Sequence, residues 1–168
     1  WARGAVDTEY PEPLSDAERF LKRISDIATA APVLAIVSPL LAVIAIWIKL
    51  DSRGPVLFKQ VRIGVGGQRF KIFKFRTMVV DAEAKKAALQ HLNEYGDGRM
   101  FKIKDDPRIT RIGRILRRTS LDELPQLLNV LRGEMSLVGP RPCLEYETEF
   151  FEPDHFKRFG APQGSTGL

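Results

Sequence analysis

The chain has 168 residues, with 26 Lys and Arg against 21 Asp and Glu, and a formal net charge of +5. This length suits about one domain plus a membrane segment. The single cysteine, Cys143, excludes an internal disulfide and fits a reducing compartment, and two histidines, His91 and His155, are too few for a His/Cys metal site. Zinc-ligand spacing and an aromatic-basic RNA-binding signature are both missing from the sequence, so nucleic acid is not an expected partner.

The N-terminal residues 1–21 are polar and predict a linker or the tail of a preceding region. The sequence opens at Trp1 rather than at a methionine and stops at Leu168 without a closing element. We therefore expect a piece of a longer protein, with a membrane segment at residues 22–50 and a folded domain at residues 51–168 that is incomplete at its C-terminus.

The most informative element runs from Ile27 to Ile48, where 22 consecutive residues carry no charge. A helix of this length, rising about 1.5 Å per residue, would cross a hydrocarbon core of roughly 30 Å. Basic residues flank both ends, however, and the positive-inside tendency places both ends on the cytoplasmic side. Ser38 and Pro39 lie at the midpoint, where proline favours a break because it lacks a backbone donor. We therefore predict a re-entrant helix-break-helix hairpin. A single spanning helix with a proline kink and a buried soluble helix are the alternatives.

Positive charge is concentrated in two blocks after this segment. Residues 52–80 hold seven Lys or Arg and no acidic residue, and residues 102–118 hold seven more against Asp105 and Asp106. Beside a membrane anchor, such blocks favour anionic lipid headgroups, at about 1 kcal/mol per basic residue. The same charges would also bind phosphorylated ligands.

Several small elements are predicted after the anchor. Residues 56–63 and 68–75 alternate apolar and polar side chains around a glycine-rich turn, which is typical of a β-hairpin. Residues 81–95 show helical periodicity, and residues 124–132 form an apolar helix that ends at Gly133.

Basic residues between these helices recur at helical spacing, namely Arg108, Arg111, Arg114 and Arg118. This pattern suits an interfacial amphipathic helix lying near the membrane. An ordinary solvated basic face is the alternative.

The first candidate site is the string SLDELPQ at residues 120–126. Ser120 and Glu123 have the spacing of a capping box, which would place Asp122 and Glu123 at a helix N-terminus. The free N–H groups there would keep a carboxylate ionised, so that it could act as a nucleophile or a metal ligand. Arg117, just upstream, could neutralise a phosphate beside it. Pure helix capping is the alternative.

Two further strings would present basic side chains. Lys74 and Arg76 are two residues apart on a predicted strand, so both point to one face and could clamp a phosphate. In residues 136–142, two prolines and Gly139 would fix a rigid loop that presents Arg141. Exposed surface charges and a purely structural turn are the respective alternatives.

Six strings in this order carry a resemblance to a known family. They are the apolar segment with Ser38–Pro39, GPVLFKQVRIG at 54–64, KFRTM at 74–78, DPRITRIG at 106–113, TSLDELPQ at 119–126 and SLVGPRP at 136–142. Together they resemble the bacterial sugar transferases, the monotopic phosphoglycosyl transferases that begin glycoconjugate assembly on undecaprenyl phosphate. Each string alone is weak, whereas the ordered set over residues 22–168 is specific.

The resemblance implies an enzyme that transfers a sugar 1-phosphate from a UDP-sugar to undecaprenyl phosphate with Mg²⁺ and releases UMP, as the first step of exopolysaccharide, O-antigen or capsule assembly. It implies that Asp122 is the nucleophile of a covalent phosphosugar intermediate. Glu123 would assist with the cation or with proton transfer, so that both carboxylates are expected metal ligands. Lys74, Arg76, Arg117 and Arg141 are expected to bind phosphate groups, and Gln60 and Arg62 to be architectural.

The implied fold is mostly helical with a small β-hairpin: a re-entrant membrane anchor plus a compact cytoplasmic catalytic domain with interfacial amphipathic helices. The expected location is the cytoplasmic face of the bacterial inner membrane, among anionic lipids, and a homo-oligomer is left open. The loop at residues 96–104 resembles that of hexose-transferring members, which favours UDP-glucose or UDP-galactose. Family members continue past the T-G-L string into a tryptophan-containing segment. The rival interpretation is a non-catalytic, membrane-anchored scaffold that binds anionic lipid.

Overall fold

A computed structural model describes residues 15–89, 103, 105–151 and 159–166. Its helices and strands are α1 (Asp16–Asp51), β1 (Leu57–Ile63), β2 (Arg69–Phe75), α2 (Ala82–Ala88), α3 (Arg111–Thr119), α4 (Leu127–Arg132), β3 (Ser136–Val138) and β4 (Gly164–Thr166). Short 3₁₀ helices cover Val65–Gly67, Leu121–Gln126 and Glu145–Phe150. The protein is thus mostly helical with small sheets and one long apolar N-terminal helix, which confirms that part of the predicted fold class.

Four predictions fall outside the described residues in whole or in part. The linker or tail predicted at residues 1–21 is described only from residue 15 onward. Both histidines lie outside the described residues, and so does the loop at 96–104 apart from Ile103. The helix predicted over residues 81–95 is described as far as residue 89, and within that range α2 occupies Ala82–Ala88.

Helix α1 begins earlier than the predicted boundary at residue 22, because Ser15 and Glu18 form a capping box. The Ser15 hydroxyl accepts a hydrogen bond from Glu18 N, and the Glu18 carboxylate accepts one from Ser15 N at 2.8 Å. These two contacts satisfy backbone donors that a helix N-terminus otherwise leaves open. The S-x-x-E string was present in the sequence and would have located this start.

The helix continues through both of its prolines, Pro32 and Pro39. Ser38 Oγ donates to Ala35 O at 2.8 Å, within the preceding turn of the same helix. The structure therefore differs from the expected helix-break-helix, since α1 is one helix of 36 residues. A proline removes one intrahelical hydrogen bond, and a helix packed along its length can tolerate that loss. The re-entrant path stays a prediction.

One stripe of α1 packs against the domain while the rest of its apolar surface stays uncovered. Ala30, Ile44 and Ile48 are each at most 2% exposed. Ile36 and Leu50, by contrast, are 77% and 80% exposed. The helix is long and apolar enough to cross a membrane. The position of this surface in a bilayer stays a prediction.

Both ends of α1 are fastened to the same domain. Near its start, Asp26 is buried and its Oδ1 accepts hydrogen bonds from Ser136 Oγ at 3.0 Å and from Leu137 N at 3.1 Å. Near its end, Asp51 Oδ2 accepts from Ile112 N at 3.4 Å. One contact lies just before the uncharged run at residues 27–48 and the other just after it, and both bind the same domain.

The predicted hairpin is confirmed. Strands β1 and β2 are antiparallel, with Leu57 opposite Phe75 and Ile63 opposite Arg69. The turn contains Gly66 and Gly67 at φ of 61° and 78°, a left-handed conformation that glycine adopts without steric cost.

The hairpin contributes to two apolar clusters beside α1. Ile72 packs with Ala30 of α1 and Val130 of α4, whereas Phe75 packs with Ile44 of α1 and Leu116 of α3. The hairpin is thereby held between α1 and the shorter helices.

A second, parallel sheet was not predicted. Strands β3 and β4 pair Ser136 with Gly164 and Val138 with Thr166. The two chains approach closely at Gly139, where an added Cβ would lie 2.2 Å from Pro162 O. Strands of three residues are too short to show alternation, so the sequence predicted a loop at 136–142 and no strand at 164–166.

Candidate active site

A cavity of about 820 Å³ lies against one face of the hairpin. The predicted residues Lys74, Arg76, Arg117, Asp122 and Arg141 all line it. They come from β2, the segment after it, α3, the following 3₁₀ helix and the loop after β3. Residues far apart in the sequence are therefore gathered around one aspartate.

Asp122 is carried by a sharp connection between two helices. Helix α3 ends at Thr119, and Ser120 follows in the left-handed region at φ 57°. Among the described residues, Ser120 is the one non-glycine residue with positive φ. The 3₁₀ helix Leu121–Gln126 then places Asp122 and Glu123 in its first turn.

The predicted capping box at Ser120 is wrong. Its side chain makes no capping hydrogen bond, and Glu123 N donates instead to the backbone oxygen of Ser120 at 3.2 Å. The left-handed backbone conformation of Ser120 ends α3, so this residue closes one helix rather than opening the next with its hydroxyl.

The pKa of Asp122 shifts in the direction opposite to the expected one. Burial raises the pKa of its carboxyl above the ordinary aspartate value of 3.8, and the neighbouring Glu123 acts in the same direction. The cations of Lys74 and Arg117 oppose this rise. Desolvation disfavours the charged form and is the largest cause of the shift, whereas the backbone hydrogen bond at Asp122, which acts in the expected direction, is the smallest.

Glu123 and Lys74 form an ion pair beside Asp122. Lys74 Nζ lies 2.5 Å from Glu123 Oε1, and the Lys74 side chain is 18% exposed. Of the two cations that lower the pKa of Asp122, Lys74 has the larger effect, so its ammonium group acts on both carboxylates. This brings the predicted acidic pair and the predicted basic residue into one cluster.

Arg76 turns away from Lys74. It lies just after the last residue of β2, is 5% exposed, and donates to the backbone oxygens of Ser52 and Arg53 that follow α1. Lys74 and Arg76 therefore do not form the expected two-pronged clamp. The alternation of the strand correctly predicted that both side chains lie at the same cavity. It could not predict the backbone carbonyl groups to which Arg76 donates.

Arg62 links the hairpin to the loop that carries Arg141. It is 9% exposed, and its guanidinium donates to Pro142 O at 3.2 Å and to Gln60 Oε1 at 2.9 Å. These contacts agree with the architectural role expected for Gln60 and Arg62. Arg62 nevertheless also lines the cavity, and burial lowers the pKa of its guanidinium.

Sequence reasoning missed two aromatic residues of the cavity wall, Phe58 and Tyr146, which are 47% and 44% exposed. Phe58 lies directly opposite Lys74 in the hairpin register, so both side chains occupy one face. The predicted strand register would have found Phe58. Tyr146 lies in a 3₁₀ helix that no sequence pattern indicated.

The basic stripe predicted for α3 is correct only in part. Arg108 lies before the helix and is buried against Asp106, with a 2.7 Å ion pair in which both side chains are 6% exposed. Arg111, Arg114 and Arg118 are exposed, as the stripe requires. Ile115 on the same helix is 42% exposed, while Ile112 and Leu116 are buried. Contact of this face with lipid stays a prediction.

The chain is similar to known proteins over most of its length. A family model described as bacterial sugar transferase matches residues 17–168. The chain is 46% identical over 150 residues to the UDP-glucose:undecaprenyl-phosphate glucose-1-phosphate transferase of Caulobacter vibrioides, which covers 88% of this chain and 52% of that protein.

Two other relatives carry different sugars in their names. A putative undecaprenyl-phosphate N-acetylgalactosaminyl 1-phosphate transferase of Bacillus subtilis is 44% identical over 144 residues, 84% of this chain and 74% of that protein. The undecaprenyl-phosphate galactose phosphotransferase of Salmonella typhimurium is 43% identical over 156 residues, 90% of this chain and 32% of that protein. The chain thus spans about half the length of the Caulobacter relative and about a third of the Salmonella one. Because the family model matches nearly the whole sequence, the chain belongs to the bacterial sugar transferase family.

Proposed function

We propose that the protein transfers a sugar 1-phosphate from a UDP-sugar to undecaprenyl phosphate, through a covalent intermediate on Asp122. The observation that carries the proposal is the placement of Asp122 in a large cavity together with Lys74, Arg117 and Arg141. Relatives at 43–46% identity are named as undecaprenyl-phosphate sugar phosphate transferases, which supports the same reaction class.

In the first step, a carboxylate oxygen of Asp122 attacks the phosphorus that bears the sugar. A bond from this oxygen to phosphorus forms, the bond from phosphorus to the bridging diphosphate oxygen breaks, and UMP leaves with the electron pair. Asp122 must be ionised to attack, and the adjacent cations of Lys74 and Arg117 stabilise that form.

In the second step, an oxygen of undecaprenyl phosphate attacks the same phosphorus. The bond to Asp122 breaks, the carboxylate is regenerated, and undecaprenyl diphosphate sugar is released. Both substrates and the nucleophile are anionic. The basic lining of the cavity reduces the repulsion among them, and its fixed charges stabilise the negative charge on the oxygens of the transferred phosphoryl group.

Mg²⁺ fits this donor set as a cation shared with the substrate. Among the described residues there is no group of three or more His, Cys, Asp or Glu that could hold a metal. Asp122 and Glu123 supply two carboxylates, and Mg²⁺ is commonly held by one or two carboxylates plus substrate phosphates and water. When bound, the ion would neutralise phosphate charge.

The domain would work at the cytoplasmic face of the bacterial inner membrane. The uncovered apolar surface of α1 supports a bilayer location, and the attachment of both its ends to one domain supports a path that does not carry one end across. The acceptor phosphate lies at the headgroup plane, so a site held at that depth can reach it.

UDP-glucose and UDP-galactose are the donors we propose to test first. Relatives at similar identity carry glucose, galactose and N-acetylgalactosamine in their names, so identity alone does not select among them.

The test is UMP release from a panel of UDP-sugars by the detergent-purified chain, with undecaprenyl phosphate and Mg²⁺. Asp122→Asn should abolish release. Asp16→Asn is the matched control, because it makes the same chemical change at an exposed position in the first turn of α1 and should leave release intact.

The outcomes separate the enzyme from the scaffold. Release that depends on Asp122 and on one sugar would support both the reaction and the donor. Equal release by wild type and Asp122→Asn would contradict the proposed nucleophile. If no UDP-sugar gave UMP release while the chain still bound anionic vesicles, the result would favour the non-catalytic scaffold.

A further inference from the structure

The segment after β2 fixes the position of α3. Thr110 N donates to Thr77 O at 3.0 Å, and Val79 N donates to Arg108 O at 2.9 Å. Gly113 packs directly on this segment, since an added Cβ there would lie 2.0 Å from Thr77 O. Helix α3 is thus seated against the backbone of Thr77 at its first turn.

Arg117 lies on the same face of α3 as Gly113, and its side chain lines the cavity. It follows Gly113 by one helical turn, and residues four apart share a helix face. Its Nε donates to Thr77 Oγ1 at 2.9 Å, and Thr77 is 7% exposed. Within the described part of the chain, its two terminal nitrogens make no hydrogen bond. They are left for a ligand in the cavity that Asp122 also lines.

We propose that Thr77 is a positioning residue: its hydroxyl holds the Arg117 guanidinium so that the terminal N–H groups meet the donor's phosphate beside Asp122. The inference rests on the proposed function. A free arginine side chain samples many rotamers, and an acceptor that fixes Nε removes this freedom before the ligand binds. Thr77 would therefore act on phosphate through Arg117 and without contacting it.

A double-mutant cycle tests this coupling. Thr77→Val, Arg117→Ala and the double variant would be compared in the detergent-solubilised full chain by calorimetric titration with UMP without added metal. The same variants would be assayed for UMP release. Because the contact involves a charged donor, Thr77→Val should weaken UMP binding by about tenfold. In the Arg117→Ala background it should change binding by less than about twofold. Thr77→Ser, which keeps the hydroxyl, should restore binding.

Thr110→Val is the control for a merely structural effect. The Thr110 hydroxyl accepts from Gly113 N at 2.9 Å and caps α3, so its loss should lower the melting temperature. UMP affinity should stay unchanged, because Arg117 keeps its partner.

Three results would overturn the inference: equal effects of Thr77→Val in both backgrounds, an affinity loss in Thr110→Val as large as that in Thr77→Val, or no UMP binding by the wild-type chain. UMP binding without turnover would count against the proposed function only, and the cycle in UMP affinity would still decide the role of Thr77.

Discussion

In the proposed mechanism, the charged neighbours of Asp122 determine how readily its carboxyl group ionises. Burial raises its pKa, and the two cations that oppose this, Lys74 and Arg117, come from different elements. Glu123 holds Lys74 beside Asp122 through an ion pair of 2.5 Å. The chemistry at this aspartate therefore depends on neighbours that the D-E string does not contain.

Lys74→Met should lower kcat by about 100-fold, since it removes a fixed charge that faces both carboxylates and the phosphate. Steady-state UMP release measures the effect. Lys71→Met, on the same strand with an exposed side chain outside the cavity, should stay within about twofold of wild type, as surface substitutions usually do. Equal losses in both variants would show that charge on the strand in general, and not the contact with Glu123, matters.

The buried pair of Asp106 and Arg108 predicts a pH dependence of stability. The hydrogen bonds from Arg108 lower the pKa of Asp106 below its ordinary value of 3.8. A lowered pKa in the folded state means that the pair stabilises the protein above pH 3.8 and that this stabilisation is lost as the pH falls below it.

Asp106→Asn should therefore destabilise the protein by about 3 kcal/mol at neutral pH, because it removes the carboxylate that forms the buried ion pair with Arg108. Melting temperatures of wild type and variant, measured from pH 7 to pH 3, should differ most at neutral pH, and the difference should shrink as the pH falls below 3.8. A gap that stayed constant over this range would show that the carboxylate charge is not what stabilises the segment.

At the scale of the elements, the side chain of Asn129 forms hydrogen bonds with backbone groups of β2 that have no strand beside them within the described residues. Asn129 of α4 is fully buried; its Oδ1 accepts from Phe73 N at 3.0 Å, and its Nδ2 donates to Lys71 O at 2.7 Å. It thus occupies the free edge of β2 as a neighbouring strand would and fastens α4 to the hairpin.

Asn129→Ala should cost about 3 kcal/mol of unfolding free energy, because it leaves a buried N–H and a buried C=O of β2 without partners. Denaturant unfolding of the detergent-solubilised protein measures this. Leu128→Ala, at the neighbouring position where the side chain is 36% exposed, should cost much less. Comparable losses would contradict the bridging role of Asn129.

Elements with a strong local pattern could be predicted, and those made by long-range pairing could not. Alternation and glycines located the hairpin, and apolar length located α1. The strand pair β3–β4 depends on contact between residues 136–138 and 164–166, which no local periodicity encodes. Ser120 was misread because an S-x-x-E string fits a capping box in any context, whereas its φ of 57° arises from the end of α3. The site residues could be chosen by motif, but the partners of Arg76 and Lys74 required the fold.

At the scale of the whole molecule, α1 is the element that we propose holds the site at the membrane. Its apolar outer surface is uncovered, yet Asp26 and Asp51, near opposite ends, both bind the domain. Because both contacts bind the same domain, we expect the two ends of the uncharged run to lie on the same side of the bilayer. A helix in the interface and a re-entrant hairpin would both meet this expectation.

Cysteine labelling tests that topology. Cys143 is buried, and Cys143→Ser gives a background for Arg19→Cys, near the start of α1, and Asp81→Cys, on the domain surface. Both sites should react with a membrane-impermeant maleimide in inside-out vesicles and neither in right-side-out vesicles. Reaction of Arg19→Cys from the side opposite to Asp81→Cys would mean that α1 spans the membrane.

The most direct test of the central claim is the intact mass of the protein after incubation with UDP-sugar in the absence of undecaprenyl phosphate. The account predicts an added mass of one sugar phosphate, located on the peptide that contains Asp122, absent from Asp122→Asn and removed when undecaprenyl phosphate is supplied. UMP formation by wild type with no adduct on that peptide, or an adduct that persists in Asp122→Asn, would contradict the assignment of Asp122 as the nucleophile.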